Sequence, residues 1–252
     1  MFSRTKEIRS LSFRMTKKER IEGEILVQTS TVKLTLDPLR IYSRQLFPKE
    51  GLEILYCNNE HGNKALVNPN GFPWFTLKLD PMGSTMRNNQ HHTLLNSGYD
   101  HVVSILEFLF DKYGDETKSM INSLPDVTWQ DIPCYAVEFN NPYFKYINYQ
   151  VQPGETFLDI CNRLKISEHM VMEINSTIDD FDESFKTGEV ITIPNDYSPR
   201  MLIYIDKTRQ IPLLMKVYDD KGVYEIYEYY DVIVDPTFRD EEFTEDYGEY
   251  DF

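Results

Sequence analysis

Three histidines stand close together in the chain, His91, His92 and His101. Imidazoles so clustered suit metal binding or proton transfer. No carboxylate or cysteine lies at a ligand spacing from them on a shared helix face, and residues 87–96 read as a polar turn ahead of a helix. Surface or capping histidines are therefore the favoured reading, and no metal is expected. Glu53, Glu225 and Glu228 fall in strand-like stretches and could face inward as an acid pair. Facing solvent, or pairing with Arg20, Arg40 or Arg44 from the basic first third, is the simpler expectation. Those three arginines matter for another reason: one pointing into an apolar concavity could clamp a lipid headgroup or a lid carbonyl. No GxSxG, HExxH, phosphate-binding loop or dinucleotide fingerprint occurs, so no catalytic residue is assigned, no cofactor is expected and the chain reads as a non-enzyme. Cys57, Cys134 and Cys161 are odd in number, far apart and outside any CxxC spacing, which suits small buried thiols rather than disulfides or zinc.

Composition narrows the partners. The 252 residues carry 26 basic and 41 acidic side chains, a net charge of −15, which argues against nucleic acid. The charge is unevenly spread, near +6 over residues 1–49 and −21 beyond them; a solvated face is the plainest account of it. No apolar run approaches the roughly 18 residues a membrane span needs. Met1–Lys6 lacks the apolar segment of a secretory signal, which points to the cytoplasm or to an export signal outside these residues.

The elements that must position these groups are mostly strands. Residues 5–20 follow a rough helical stripe. Ile21–Val27, Val32–Leu36, Arg40–Phe47, Leu52–Cys57, Ala65–Val67 and Phe72–Leu79 are short strand-like runs, the first two split by a polar turn at Ser30-Thr31 and the others by Gly, Pro and Asn turns, the pattern of an antiparallel meander. A helix follows from an N-cap at Asp100, with Val102, Val103, Ile105, Leu106, Leu109 and Phe110 crowding one side and Gly114 stopping it. Strands return at 126–129 and 132–139. Residues 147–197 differ in style, short, helical and acidic, before strands resume after Pro199. This implies one β domain, 1–146 and 198–252, interrupted by an inserted domain at 147–197. The insert should leave and rejoin on neighbouring antiparallel strands, near Phe139 and Met201, with Tyr143, Phe144, Tyr146 and Tyr197 packed at the junction. The acidic tail, Asp240–Asp251, is interleaved with Phe243, Tyr247 and Tyr250, aromatics able to pin it to the sheet.

The insert opens with Tyr149-Gln150-Val151-Gln152-Pro153-Gly154-Glu155-Thr156-Phe157. An apolar helical face at Leu158, Ile160, Cys161 and Leu164 follows, then Ile166-Ser167, Ile174-Asn175 and Gly188-Glu189-Val190-Ile191-Thr192-Ile193-Pro194. This resembles a LysM domain, a βααβ module whose family recognises N-acetylglucosamine glycans such as peptidoglycan. The resemblance implies a glycan groove at Gly154, Glu155, Thr156, Phe157, Ile174, Asn175, Ser176, Thr177 and Ile178, with Phe157 and Ile178 giving apolar contact. The usual Asn-Pro after the second helix is Asn175-Ser176 here.

The flanking β domain, through Glu19-Arg20-Ile21-Glu22-Gly23, Pro38-Leu39-Arg40-Ile41-Tyr42, Leu79-Asp80-Pro81-Met82-Gly83 and His91-His92-Thr93, resembles an uncharacterised exported bacterial family related to the lipoprotein carriers LolA and LolB. That implies an α+β fold: a curved antiparallel sheet, an incomplete barrel with covering helices, holding an apolar ligand on its concave face. A lined cavity and a filled core fit the pattern equally. The combined expectation is a non-enzymatic protein of the periplasm or cell envelope that binds peptidoglycan through the insert and a lipid or lipoprotein through the sheet. The alternative is an assembly protein using both domains as protein-binding surfaces.

Overall fold

The computed structural model describes residues 1–252. A six-residue helix, α1 (Phe2–Glu7), leads into β1 (Ser10–Ile21). The meander continues through β2 (Glu24–Leu36), β3 (Leu39–Phe47), β4 (Glu53–Cys57), β5 (Ala65–Asn68) and β6 (Leu77–Leu79). Three helices follow, α2 (Ser84–Arg87), α3 (Asp100–Tyr113) and α4 (Thr117–Met120), then β7 (Ile121–Trp129) and β8 (Ile132–Asn140). The insert supplies β9 (Tyr146–Gln150), α5 (Phe157–Leu164), α6 (Glu168–Ile174) and β10 (Val190–Pro194). The chain closes with β11 (Arg200–Asp206), β12 (Pro212–Asp219) and β13 (Gly222–Val234).

Eleven strands form one antiparallel sheet in the order β6-β5-β4-β3-β2-β1-β13-β12-β11-β8-β7, with edges at β6 and β7 that do not meet. The helical stripe expected over residues 5–20 survives only as α1; Ser10 onward is a central strand paired to β2 and β13. Its alternation explains this. Leu11 and Phe13 are buried on one face while Ser12 and Arg14 alternate with them, and a strand with partners on both sides outweighs an irregular helical pattern. α3 spans the residues expected, although Asp100 is its first residue and Tyr99 its cap; Gly114, at φ +52°, ends it. Ile105, Leu106 and Leu109 press against the concave face of the sheet, within a core that includes Phe139, Met201, Met215 and Val217.

The insert has a core of its own, built on Phe157, Ile160, Cys161, Val171, Ile178 and Ile193. β9 and β10 pair only with each other. Its entry and exit lie side by side, because Phe139 in β8 pairs with Met201 in β11, as the insertion argument requires. Tyr197 is buried there and Phe144 packs edge-on to Tyr146, while Tyr143 is exposed but stacks on Tyr113 at 5.3 Å. The tail also folds back. Phe243 is buried with Tyr42, Leu55, Cys57 and Leu66 on the opposite face of β3–β5, and the Tyr250 ring stacks on Tyr42 at 3.6 Å. All three cysteines are buried and free.

Candidate functional site

The concave face divides in two. Beneath α3 it is filled, apart from a void of about 50 Å³ beside Tyr197 and Met201. Over β1–β5 it forms a half-open cavity of about 690 Å³, within the ~300–1,000 Å³ typical of small-molecule sites. Strand alternation builds its wall: Met15, Lys17 and Glu19 from β1, Gln28, Ser30 and Val32 from β2, Ser43 and Gln45 from β3, and Ile54 from β4. The cover is the polar stretch from Thr85 to Gly98, including Asn88, Asn89 and Gln90. Serines at positions 30 and 43 leave volume that larger side chains would fill.

The same alternation settles the arginines. Arg40 and Arg44 share the outer face with Tyr42 and engage the tail, Arg40 with Asp240 at 2.8 Å and Arg44 with Asp251 at 3.5 Å and Glu53 at 3.3 Å. Arg20 is buried, ion-paired to Asp219 and donating to the Val223 carbonyl. None of the three lines the cavity, so the expected headgroup clamp is not theirs. The cations that do line it are Lys17 and Lys49. Glu53 pairs with Arg44, as the simpler expectation had it, and Glu228 pairs with Lys18 at 3.1 Å.

The histidines correct the surface reading outright. His91 is fully buried, its ring stacked on Tyr224 at 4.1 Å. His91 Nε2 donates to the Arg20 carbonyl at 3.0 Å, and Nδ1 lies 2.8 Å from Glu225 Oε2. His92 Nε2 lies 3.3 Å from the same oxygen, and the Tyr197 hydroxyl donates to Glu225 Oε1 at 2.7 Å. Tyr227 donates to Glu19 Oε1 at 2.5 Å, and Lys17 Nζ sits 3.2 Å from Glu19 Oε2. Burial alone would raise both carboxyl pKa values. The His92 and His91 rings instead hold Glu225 well below the usual carboxylate range, and Lys17 with the histidines lowers Glu19. Burial works against protonated His92, yet Glu225 raises it; His101, buried without a close anion of its own, is pushed down to about 3. This cluster borders both cavities: Glu19 and Lys17 face the large one, and Glu225 and His101 the small one.

The insert rests on the same region. His169 Nε2 donates to the Gln90 carbonyl at 2.6 Å, Ser167 bonds Tyr224 at 2.7 Å, and Glu168 lies 3.1 Å from Arg87, whose guanidinium stacks 3.7 Å from the Phe181 ring. The cavity cover is thus held between sheet and insert. Most of the proposed groove residues have structural roles. Phe157 and Ile178 are core side chains, so the apolar contact expected of them is not available. Thr156 caps α5 in a capping box with Asp159. Glu155 accepts from Tyr149 and Arg163, and the Asn175 amide bridges the Val171 and Thr192 carbonyls at 2.7 Å each. Ile174 is half-buried, whereas Gly154, Ser176 and Thr177 are exposed.

Sequence reasoning missed Lys17 and the Glu19–Glu225 pairing. The alternation of Lys17 and Glu19 with Met15 was the available signal. Among known proteins, a family model described as a protein of unknown function, DUF1571, matches residues 8–173, well over half of the chain. No curated protein matches it. Among solved structures, a DUF1329 family protein from Desulfovibrio piger is similar at 10% identity and a TM-score of 0.39, covering 97% of this chain and 93% of the other. A putative outer membrane lipoprotein-sorting protein domain from Vibrio parahaemolyticus is similar at 8% identity and 0.38, covering 96% and 92%. A LolA superfamily protein from Nitrosomonas europaea is similar at 11% identity and 0.37, covering 98% and 96%.

Proposed function

The chain belongs to the DUF1571 family of proteins of unknown function, and we propose that this member is a non-enzymatic carrier that binds the acyl portion of a lipid or lipoprotein in the concave cavity. The cavity of about 690 Å³ over β1–β5 carries the reading. Burying acyl chain there contributes about 0.8 kcal/mol per methylene, so a chain of about ten methylenes gives near 8 kcal/mol gross. Lys17, Gln28 and Gln90 at the cavity wall suit a polar or anionic headgroup. A protein with a solid interior would have suited the assembly role better.

The cavity also has a route to a bilayer. Phe47, Pro48 and Lys49 line it, and the neighbouring loop is tied to their turn by the Asn70 amide donating to the Glu50 carbonyl at 3.0 Å. On that loop Phe72 and Trp74 are 88% and 82% exposed, and Phe75 and Phe47 are also exposed. Residues 61–79 contain no carboxylate in a chain otherwise rich in them. Exposed aromatics free of negative charge suit the interfacial zone of a membrane. No helix is long and apolar enough to cross one. A place in the cell envelope or periplasm fits this role.

Titration with cis-parinaric acid, followed by fluorescence, tests the reading. Saturable binding, displaced by phospholipid and lost in Ser30→Trp and Ser43→Trp variants that remain folded, is expected. Equal binding by wild type and both variants would remove the cavity from the explanation.

A second reading concerns the insert. Its independent βααβ core favours a LysM-type module that tethers the protein to peptidoglycan, using backbone at Gly154 and the exposed Ser176 and Thr177. Co-sedimentation of the whole chain with purified peptidoglycan, reduced by Ser176→Arg and Thr177→Arg, is the expected result. A supernatant unchanged by peptidoglycan ends that reading and leaves the cavity reading intact.

A further inference from the structure

The β1–β13 register places Glu19 directly opposite Glu225. Like charges at facing positions repel, and here both residues are only 2% exposed. Two buried carboxylates brought together by backbone pairing call for a cation between or beside them. Lys17 supplies part of that charge at Glu19, and His92 part at Glu225. His91 is the third group. A carbonyl can only accept, so the contact to the Arg20 oxygen places a proton on His91 Nε2. Nδ1 then faces a carboxylate oxygen at 2.8 Å, and the two lone pairs require either a second proton or a metal ion.

We propose that Glu19, His91 and Glu225 form a site for a divalent transition-metal ion, with zinc as the reference case. One donor atom from each lies within 4.8 Å of the other two. A mixed nitrogen and oxygen set suits zinc and its neighbours over magnesium or calcium. Each ligand already has the outer partner that a metal site needs. His91 Nε2 holds the Arg20 carbonyl, Tyr227 holds Glu19, and Tyr197 holds Glu225. Lys17 also reaches Gln90 Oε1 at 2.8 Å, so it keeps a partner when the ion takes its share of Glu19. Glu19 lines the large cavity, which gives the ion a way in. Three protein ligands leave a further position for water.

The test uses the intact chain, stripped with chelator, dialysed against zinc and measured by elemental analysis and calorimetry. The expected result is one zinc per chain, unaffected by excess magnesium. Glu19→Gln and Glu225→Gln should weaken binding by at least tenfold, and Tyr227→Phe by about 10–100-fold. Cobalt should give a visible absorption band in wild type that is absent in Glu19→Gln. Circular dichroism separates loss of the site from loss of the fold; if the Glu225 variant unfolds, Glu19→Gln and Tyr227→Phe still decide. No stoichiometric zinc in wild type overturns the proposal. Zinc held equally by all the variants also overturns it, by placing the ion on surface carboxylates.

Discussion

The two halves of the concave face use the same sheet and reach opposite results. Over β8 and β11–β13, α3 lays three buried aliphatic side chains, Ile105, Leu106 and Leu109, into the concavity and fills it. Over β1–β5, the cover is a polar stretch around α2 with no comparable apolar face, and the strands present serines where the other half presents methionines. Sheet curvature alone therefore does not make a cavity. The cover decides, because only an amphipathic helix of several turns brings enough apolar volume to reach native packing density. The charged cluster of Glu19, Glu225, His91 and His92 lies at the seam between the halves.

The sharpest way to break this contrast is to remove volume on each side. Leu109→Ala, in the filled half, should cost about 2–5 kcal/mol by leaving a new cavity. Val27→Ala, which lines a space already present, should cost under ~1 kcal/mol. Urea denaturation of both variants measures the difference, and similar costs would mean that the two halves are packed alike. Adding volume inverts the test. Ser43→Trp should reduce fatty-acid affinity by tenfold or more, about 1.4 kcal/mol, with little change in the denaturation midpoint.

Acid probes the seam and the insert contact together. Burial holds neutral His169 down to about 4 and His101 down to about 3, against an ordinary value of 6.5. Between pH 6.5 and those values the unfolded chain binds protons that the folded chain does not. Stability should therefore fall as pH drops through this window. The depressed pKa values of Glu19 and Glu225 act with the same sign at lower pH, while His92, raised by Glu225, acts in a separate window above pH 6.5, where its contribution is lost as pH rises. Thermal melts across the range should show the decline, and His169→Gln should flatten it; a slope unchanged in that variant would detach His169 from the effect. The smallest expected change is Trp74→Ser, within about ±0.5 kcal/mol of wild-type stability yet several-fold weaker in sedimentation with vesicles of anionic phospholipid. Vesicle binding equal to wild type would separate the aromatic loop from the cavity's function.

Local pattern carried much of the architecture. Turn residues separated β2 to β6, although the polar turn expected at Ser30-Thr31 falls inside the unbroken β2, and the aliphatic face from Val102 to Phe110 marked α3. The neighbouring positions of β8 and β11 followed from loop-closure entropy, since an insertion with adjacent ends disturbs a hairpin least. Alternation also placed Arg40, Tyr42 and Arg44 on one face of β3. These features depend on residues near one another in sequence, or on one covalent constraint, and are written in the chain directly.

What lay beyond the chain read as a string was which face meets which cover. Arg40 and Arg44 face outward because the tail, about 200 residues later, packs its aromatics on that side. His91 passed for a surface residue because its neighbours in sequence are polar, whereas its neighbours in space are Tyr224, Glu225 and the insert. Glu19 and Glu225 meet through the pairing of two strands at opposite ends of the chain, and a one-residue slip would have turned them to opposite faces. Register between distant strands is set by the summed fit of whole faces, so the amino-acid order determined the elements and tertiary packing alone determined the site.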